Sequence, residues 1–168
     1  EERRVNWEIL DAWRDAAEEC GIPKISEFNR GDNFGNAYFQ MNQRRGSRWS
    51  GTKAYLRPVL NRPNLEVITS AHVEKLNIST NKDGRNQANG VHFQTANQGS
   101  HVVEARKEII LSAGSIGSPQ ILQLSGIGPG KFLSSKGIEV MHDLPGVGEN
   151  LHDHLQVRTV FKVQNTIT

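Results

Sequence analysis

The sequence predicts a mixed α/β (α+β) fold with three short antiparallel strands, one buried parallel strand and two main helices. Three observations carry this prediction. Apolar residues recur at three- and four-residue spacing over 6–20, which is typical of an amphipathic helix. Short runs rich in Val, Ile and Phe alternate with turn residues over 73–105. An apolar run at 109–113 then leads through a glycine into a second helical pattern.

The first predicted element is the helix over 6–20. Asn6 is a candidate N-cap, and Gly21 ends the helix. Trp13 and Cys20 lie on the apolar stripe, so we expect both side chains in the core.

Shorter elements follow. Residues 27–36 are rich in Gly, Asn and Asp, which indicates an irregular loop. Ser50 is a candidate N-cap for a short helix over 52–60. Two strands are also predicted here, at 38–43 and at 65–70.

Alternating apolar residues and turn signals predict a meander with strands at 73–79, 90–95 and 101–105. A further alternating run, from Leu155 to Val163, predicts a half-buried antiparallel strand near the end of the chain.

The run 109–113 has the composition of a central parallel strand. Ser118 is the predicted N-cap of the next helix, Pro119 its first residue, and Gly126 ends it. A glycine at a strand end followed by a helix start suits the phosphates of a nucleotide. Many parallel strands turn through glycine for purely structural reasons, so this pattern alone leaves both interpretations open.

Composition excludes several function classes. The chain has 168 residues, 20 basic and 18 acidic side chains, and a formal charge of +2, with the charges interspersed. We therefore expect no nucleic-acid partner, and we interpret Arg44, Arg45 and Arg48 as a solvated surface. The one cysteine, Cys20, excludes an internal disulfide. No apolar stretch approaches the roughly 20 residues that cross a bilayer, so no transmembrane segment is expected.

Other motifs point to less specific chemistry. The run 125–131 is rich in glycine but lacks the Lys-Ser/Thr ending of a phosphate loop. His152 and His154 flank Asp153, yet on a strand the two imidazoles share a face while the carboxylate points away. No GxSxG elbow is present for a serine hydrolase. We therefore expect no metal site and no hydrolytic triad.

Three stretches taken together resemble the glucose-methanol-choline (GMC) family of FAD-dependent oxidoreductases, above all its bacterial alcohol and choline dehydrogenase-like members. They are GSRWSGTKAYLRPVLNRPNLEVITSAHVEKL at 46–76, EARKEIILSAGSIGSPQILQLSGIG at 104–128 and HDLPGVGENLHDHL at 142–155. The second stretch looks like a family signature. The resemblance extends over essentially the whole chain from the first helix onward.

The resemblance implies that the meander and the 109–113 strand belong to a Rossmann-like FAD-binding domain. It places residues 51–154 in the central part of that domain, together with a glycine-rich connection. Residues 1–50, a helix and an edge strand, and residues 155–168, the start of a strand, would belong to the antiparallel substrate-binding domain.

The resemblance also implies cofactor contacts. It places the backbone of Val73 beside the adenine end of FAD, and Ala113 and Gly114 close to the ADP portion. Main-chain N–H and C=O groups pair with the edge of adenine whatever the side chain, which explains why valine is acceptable there. A buried strand residue without a ligand is the alternative interpretation of Val73.

Departures from the family pattern limit what can be transferred. The GxGxxG loop of the family and its catalytic histidine match nothing in this sequence, so no catalytic role is assigned here to any residue. The sequence starts with Glu1 instead of Met and stops inside the alternating run, so we expect a central segment of a longer protein.

The resemblance implies oxidation of a small-molecule alcohol by hydride transfer to FAD, and the segment alone is expected to be inactive. A non-catalytic binding or assembly module derived from the same fold is the alternative. The particular alcohol, the electron acceptor and the cellular compartment stay open.

Overall fold

The structure is a computed structural model that describes residues 2–3, 6–96 and 99–166. Contacts divide the chain into two compact units, Glu1–Glu66 with Val157–Thr168 (the terminal unit) and Val67–Gln156 (the central unit). Helices and strands mix throughout, as predicted. Across the described ranges, no helix combines the length and apolar character needed to cross a membrane.

The main helix of the terminal unit, α1 (Glu8–Glu19), confirms the first predicted helix. Its N-cap is Trp7, without a side-chain hydrogen bond, instead of the predicted Asn6. The expectation that Trp13 and Cys20 lie in the core is wrong, because Trp13 is 54% exposed and Cys20 is exposed. Only Ala17 of α1 is buried, since the strands of this unit are too short to cover the apolar stripe.

Four two-residue strands are described in the terminal unit. The single strand predicted at 38–43 is divided between two antiparallel pairs. The second pair closes through Arg45 and Gly46, whose φ angles of 50° and 72° are those of a tight hairpin turn. The strands are β1 (Glu2–Arg3) paired with β2 (Gln40–Met41), and β3 (Gln43–Arg44) paired with β4 (Ser47–Arg48).

The segment from residue 50 to residue 70 differs from its prediction. The predicted 52–60 helix is a π-helical turn, Thr52–Leu56, followed by a 3-10 turn, Arg57–Val59. The strand predicted at 65–70 is wrong, because these residues are mostly exposed and pair with no strand. Ser70, with a φ of 53°, then breaks the extended backbone just before the meander.

The meander of the central unit confirms its prediction, with longer strands. It consists of β5 (Ala71–Thr80), β6 (Asn86–Thr95) and β7 (Gly99–Glu104), antiparallel in the order β5-β6-β7. The β5–β6 turn is stabilised by Asn81, whose side-chain oxygen accepts hydrogen bonds from the N–H groups of Asp83 and Arg85 at 3.0 and 2.9 Å.

The strand predicted at 109–113 is wrong for this structure, which assigns no strand there. A parallel strand exists only beside a neighbour that takes its hydrogen bonds, and the described ranges provide none for it. The next helix, α2 (Gly114–Leu124), begins earlier than predicted and has Pro119 inside it. Pro119 removes only one backbone donor, so the first turn forms ahead of it.

Two short elements follow α2. Strand β8 (Ile127–Gly128) pairs in parallel with β9 (His142–Asp143), and the six-residue helix α3 (Gly130–Ser135) lies between them in the chain. The strand predicted from Leu155 to Val163 is absent among the described residues, and Leu155 is 97% exposed. The buried apolar side chains of the central unit are Leu76, Phe93, Ile121, Leu133 and Val147.

Candidate cofactor-binding site

A cleft of about 450 Å³ lies in the central unit between β5, the 109–113 segment and α2. It brings Val73 and Ala113 to one site, as the sequence predicts, whereas Gly114 lies just outside its lining. The walls are mainly apolar, and His72 is the one titratable side chain among the described residues that line them. The lining residues are Ala71, His72, Val73, Leu76, Val91, Ile109, Ile110, Leu111, Ser112, Ala113, Gly117, Gln120 and Ile121.

Strand β5 presents one backbone edge away from the meander. It lies at the end of the three-strand order, so β6 takes the hydrogen bonds of one edge only. The register shifts between Val73 and Lys75, which inserts one extra residue. The N–H of Leu76 points away from β6, since it donates to the Ser125 hydroxyl at 2.8 Å. Because of the extra residue, Val73 and Leu76 pair with Phe93 and Val91, which are two residues apart on β6, so the backbone N–H groups of Val73 and Leu76 point in the same direction. The backbone of Val73 therefore faces the free edge.

The turn into α2 is open at Gly114. Its φ of 83° lies in the left-handed region, and a Cβ built there meets nothing within 4 Å. The N–H of Ala113 donates to the Ser118 hydroxyl at 3.0 Å. Ser118 therefore stabilises the start of α2 from inside the helix, instead of preceding the helix as predicted.

These features fit the adenine end of FAD. Adenine has two flat apolar faces and a polar edge, and the cleft offers apolar walls together with the free backbone edge at Val73. The open backbone at Gly114 allows close approach of a ligand to the helix start. Among the described residues, no Lys or Arg lines the cleft, so its lining matches a base better than a pyrophosphate.

The sequence places Ser125 in the signature-like stretch at 104–128 but assigns it no role, and the structure shows this residue 7% exposed. Its hydroxyl accepts a hydrogen bond from the Leu76 N–H at 2.8 Å and donates one to the Ile121 carbonyl at 2.6 Å. Leu76 and Ile121 both line the cleft. The partner on β5 is 49 residues away in sequence, so no local pattern signals this contact.

The other candidate motifs acquire structural roles. In the glycine-rich run 125–131, the Gly130 N–H donates to the Asp143 carboxylate at 2.8 Å, so this donor is engaged within the protein. Asp153 accepts a hydrogen bond from the His154 N–H at 2.8 Å. Within residues 2–3, 6–96 and 99–166, no group of three or more His, Cys, Asp or Glu side chains is arranged to hold a metal ion.

The family model described as GMC oxidoreductase matches residues 2–156. The chain belongs to the GMC oxidoreductase family. This confirms the family predicted from the three stretches and, with it, FAD as the cofactor of the family.

Curated relatives agree with this membership. An oxygen-dependent choline dehydrogenase from Photobacterium profundum is 42% identical over 160 residues, which cover 95% of this chain and 27% of the relative. An alcohol dehydrogenase [acceptor] from Pseudomonas putida is 39% identical over 143 residues, which cover 84% of this chain and 25% of the relative. The chain thus spans about a quarter of the length of the curated GMC relatives it matches.

Solved GMC structures have the same fold. An FAD-dependent oxidoreductase from Chaetomium thermophilum superposes with a TM-score of 0.73 at 34% identity, over 84% of this chain and 24% of that one. Pyridoxine 4-oxidase from Mesorbium loti gives a TM-score of 0.68 at 31% identity, over 82% of this chain and 26% of that one.

Proposed function

We propose that this chain is part of an enzyme that oxidises a small-molecule alcohol with FAD as the hydride acceptor. The observation that carries the proposal is the family match over residues 2–156. Relatives are named for choline and for alcohol, and choline is itself an alcohol. The shared chemistry is loss of a hydride and a proton from a CH–OH group.

The contribution of this chain is to bind and orient the cofactor. The backbone of Val73 pairs with the adenine edge, and Ala113 and Gly114 lie along the ADP portion. The apolar walls of the cleft support this assignment, because they exclude water from the two faces of a base. FAD supplies the redox chemistry when bound. We assign neither proton transfer nor substrate activation to any residue of this chain.

The domain assignment is part of the same proposal. Residues 51–154 form the central part of the FAD-binding domain, and residues 1–50 with 155–168 contribute to the substrate-binding domain. The division into two compact units supports it, because the first and last parts of the chain fall in one unit. The boundaries between the two units lie at residues 66 and 157, whereas the predicted domain boundaries lie at residues 50 and 155.

Anaerobic reduction of bound FAD by alcohols tests the activity. The complete gene product that carries this sequence is purified with FAD, and choline or a simple primary alcohol is added without oxygen. We expect the absorbance of oxidised flavin to bleach, since hydride transfer reduces the flavin. Ethyltrimethylammonium is the matched control, because it keeps the cation of choline and lacks the hydroxyl.

Bleaching by choline but not by its control would identify choline as a substrate, and bleaching by other alcohols alone would keep the reaction class and exclude choline. A protein that binds FAD and is reduced by no alcohol would contradict the proposed activity. That result would favour the non-catalytic binding or assembly module.

A further inference from the structure

We propose that Ser125 is a positioning residue for the adenine end of FAD, because its hydroxyl fixes the separation between two walls of the cleft. The inference rests on the proposed function and deepens it, since it assigns a role to a residue outside the lining of the site. Ser125 itself does not line the cleft, so it acts through the residues it joins.

The contacts of Ser125 join opposite walls of the cleft. The Leu76 N–H on β5 donates to the hydroxyl at 2.8 Å, and the hydroxyl donates to the Ile121 carbonyl on α2 at 2.6 Å. Leu76 and Ile121 are 9% and 7% exposed, so both hydrogen bonds are shielded from water. In such surroundings a hydrogen bond is stronger and its loss leaves buried polar groups without a partner.

Ser125 is held rigidly at the end of α2. Its own N–H donates to the carbonyls of Ile121 and Leu122 at 3.1 and 3.0 Å. The next residue, Gly126, accepts hydrogen bonds at its carbonyl from the N–H groups of Met141 and His142 at 2.9 and 3.1 Å. The hydroxyl is therefore presented from a backbone fixed on both sides, and it sets where β5 lies against α2.

Loss of the hydroxyl should disturb the adenine site in particular. Val73 and Leu76 share the free edge of β5, so a shift of Leu76 away from α2 also moves the backbone that faces adenine. The binding of ligands that contain the adenylate group depends on the distance between β5 and α2. The binding of FMN, which carries the flavin and a phosphate but no adenylate group, does not.

The test compares Ser125→Ala with the wild type in the complete gene product, measuring the affinities for FAD, ADP and FMN. We expect FAD and ADP to bind about tenfold more weakly, the size of effect of one buried hydrogen bond. The affinity for FMN should be unchanged. Ser125→Cys, whose thiol is a weaker donor and acceptor, should fall between the two.

Ser135→Ala is the matched control. Its hydroxyl donates to the Phe132 carbonyl at 2.7 Å within α3, in the same local manner as Ser125, and lies outside the cleft. We expect its ADP affinity to equal that of the wild type. If Ser125→Ala does not fold, the test uses Ser125→Cys and measures the amide hydrogen exchange of Leu76. We expect the Leu76 amide to exchange faster than in the wild type and ADP to bind more weakly.

The outcomes separate the two claims. A wild type that binds neither FAD nor ADP would overturn the proposed function. A wild type that binds both, with equal ADP affinity in Ser125→Ala, would overturn only the role of Ser125. Equal losses for ADP and FMN would also overturn it, because they indicate general destabilisation.

Discussion

Gly126 shows how one residue without a side chain ends helix α2 and admits a neighbouring segment. Its φ of 83° is left-handed, and a Cβ there would overlap the Glu139 carbonyl oxygen. Gly137 has a similar φ of 73°, but a Cβ there meets nothing within 4 Å. The two glycines therefore share the backbone requirement and differ in the space around them.

We expect Gly137→Ala to lower the free energy of unfolding by about 1 kcal/mol, the cost of a left-handed alanine. Gly126→Ala should cost about 4 kcal/mol, because steric overlap with the backbone adds to the same strain. Denaturant unfolding of both variants measures the difference. Equal losses in the two variants would show that the close packing at Gly126 contributes nothing.

Glu27 provides a pH-dependent contact in the terminal unit. Hydrogen bonds from the side chains of Gln40 and Arg30, each 3.0 Å long, lower the pKa of its carboxyl below the ordinary value of 4.5. Since the folded state favours the carboxylate, the stabilisation is present above pH 4.5 and is lost as the pH falls through the lowered pKa.

Gln40→Leu removes the larger of these two causes. We expect the pKa of Glu27, measured by NMR titration of its carboxyl group, to rise toward 4.5 in this variant. Asn42→Leu, an exposed position outside this contact, is the control and should leave the pKa unchanged. A Glu27 pKa that is the same in Gln40→Leu and the wild type would contradict the assigned cause.

At the scale of elements, the sequence predicts those helices and strands whose formation depends on neighbouring residues in the chain. The meander could be predicted because its signals are local. Apolar and polar residues alternate along each strand, and the Asn81–Gly84 turn has the composition of a turn. The observed start of α2 differs from its prediction because Pro119 is a strong signal for a first helical position, whereas the left-handed Gly114 that begins the helix is not. Strand formation at 109–113 depends on a distant partner, which the local pattern cannot supply.

The 109–113 segment yields a prediction of its own. Ile110 is 78% exposed, and the segment is rich in β-branched and aliphatic residues. We expect the amides of residues 109–112 to exchange rapidly with solvent in the 168-residue chain, since no described strand pairs with them, and slowly in the complete gene product, where the family resemblance predicts a neighbouring strand. Amide hydrogen exchange measures both, with β6 as the protected reference. Rapid exchange in both proteins would contradict a parallel strand at this position.

At the scale of the site, only some of the residues that form the cleft could be predicted from the sequence. Val73, Ala113 and Gly114 followed from the family resemblance, and two of them line the cleft. The Ser125 contact could not be predicted, because it depends on how α2 packs against β5 and joins residues far apart in sequence. Buried hydroxyls of this kind become recognisable only when both partners are placed in space.

At the scale of the whole molecule, the chain supplies about a quarter of the length of its GMC relatives. Its family membership, together with this partial coverage, agrees with a segment of a longer GMC oxidoreductase. The assignment of its parts to the cofactor and substrate domains stays a prediction. The central claim is that the cleft beside β5 and α2 holds the adenine end of FAD. This claim concerns cofactor binding alone and assigns no catalytic group to the chain.

The most direct test is an experimental structure of the complete gene product with FAD bound. We predict that adenine lies in the cleft, with its polar edge hydrogen-bonded to the backbone of Val73 and with Ala113 and Gly114 along the ADP portion. Adenine bound elsewhere, with the cleft filled by protein side chains, would contradict the account.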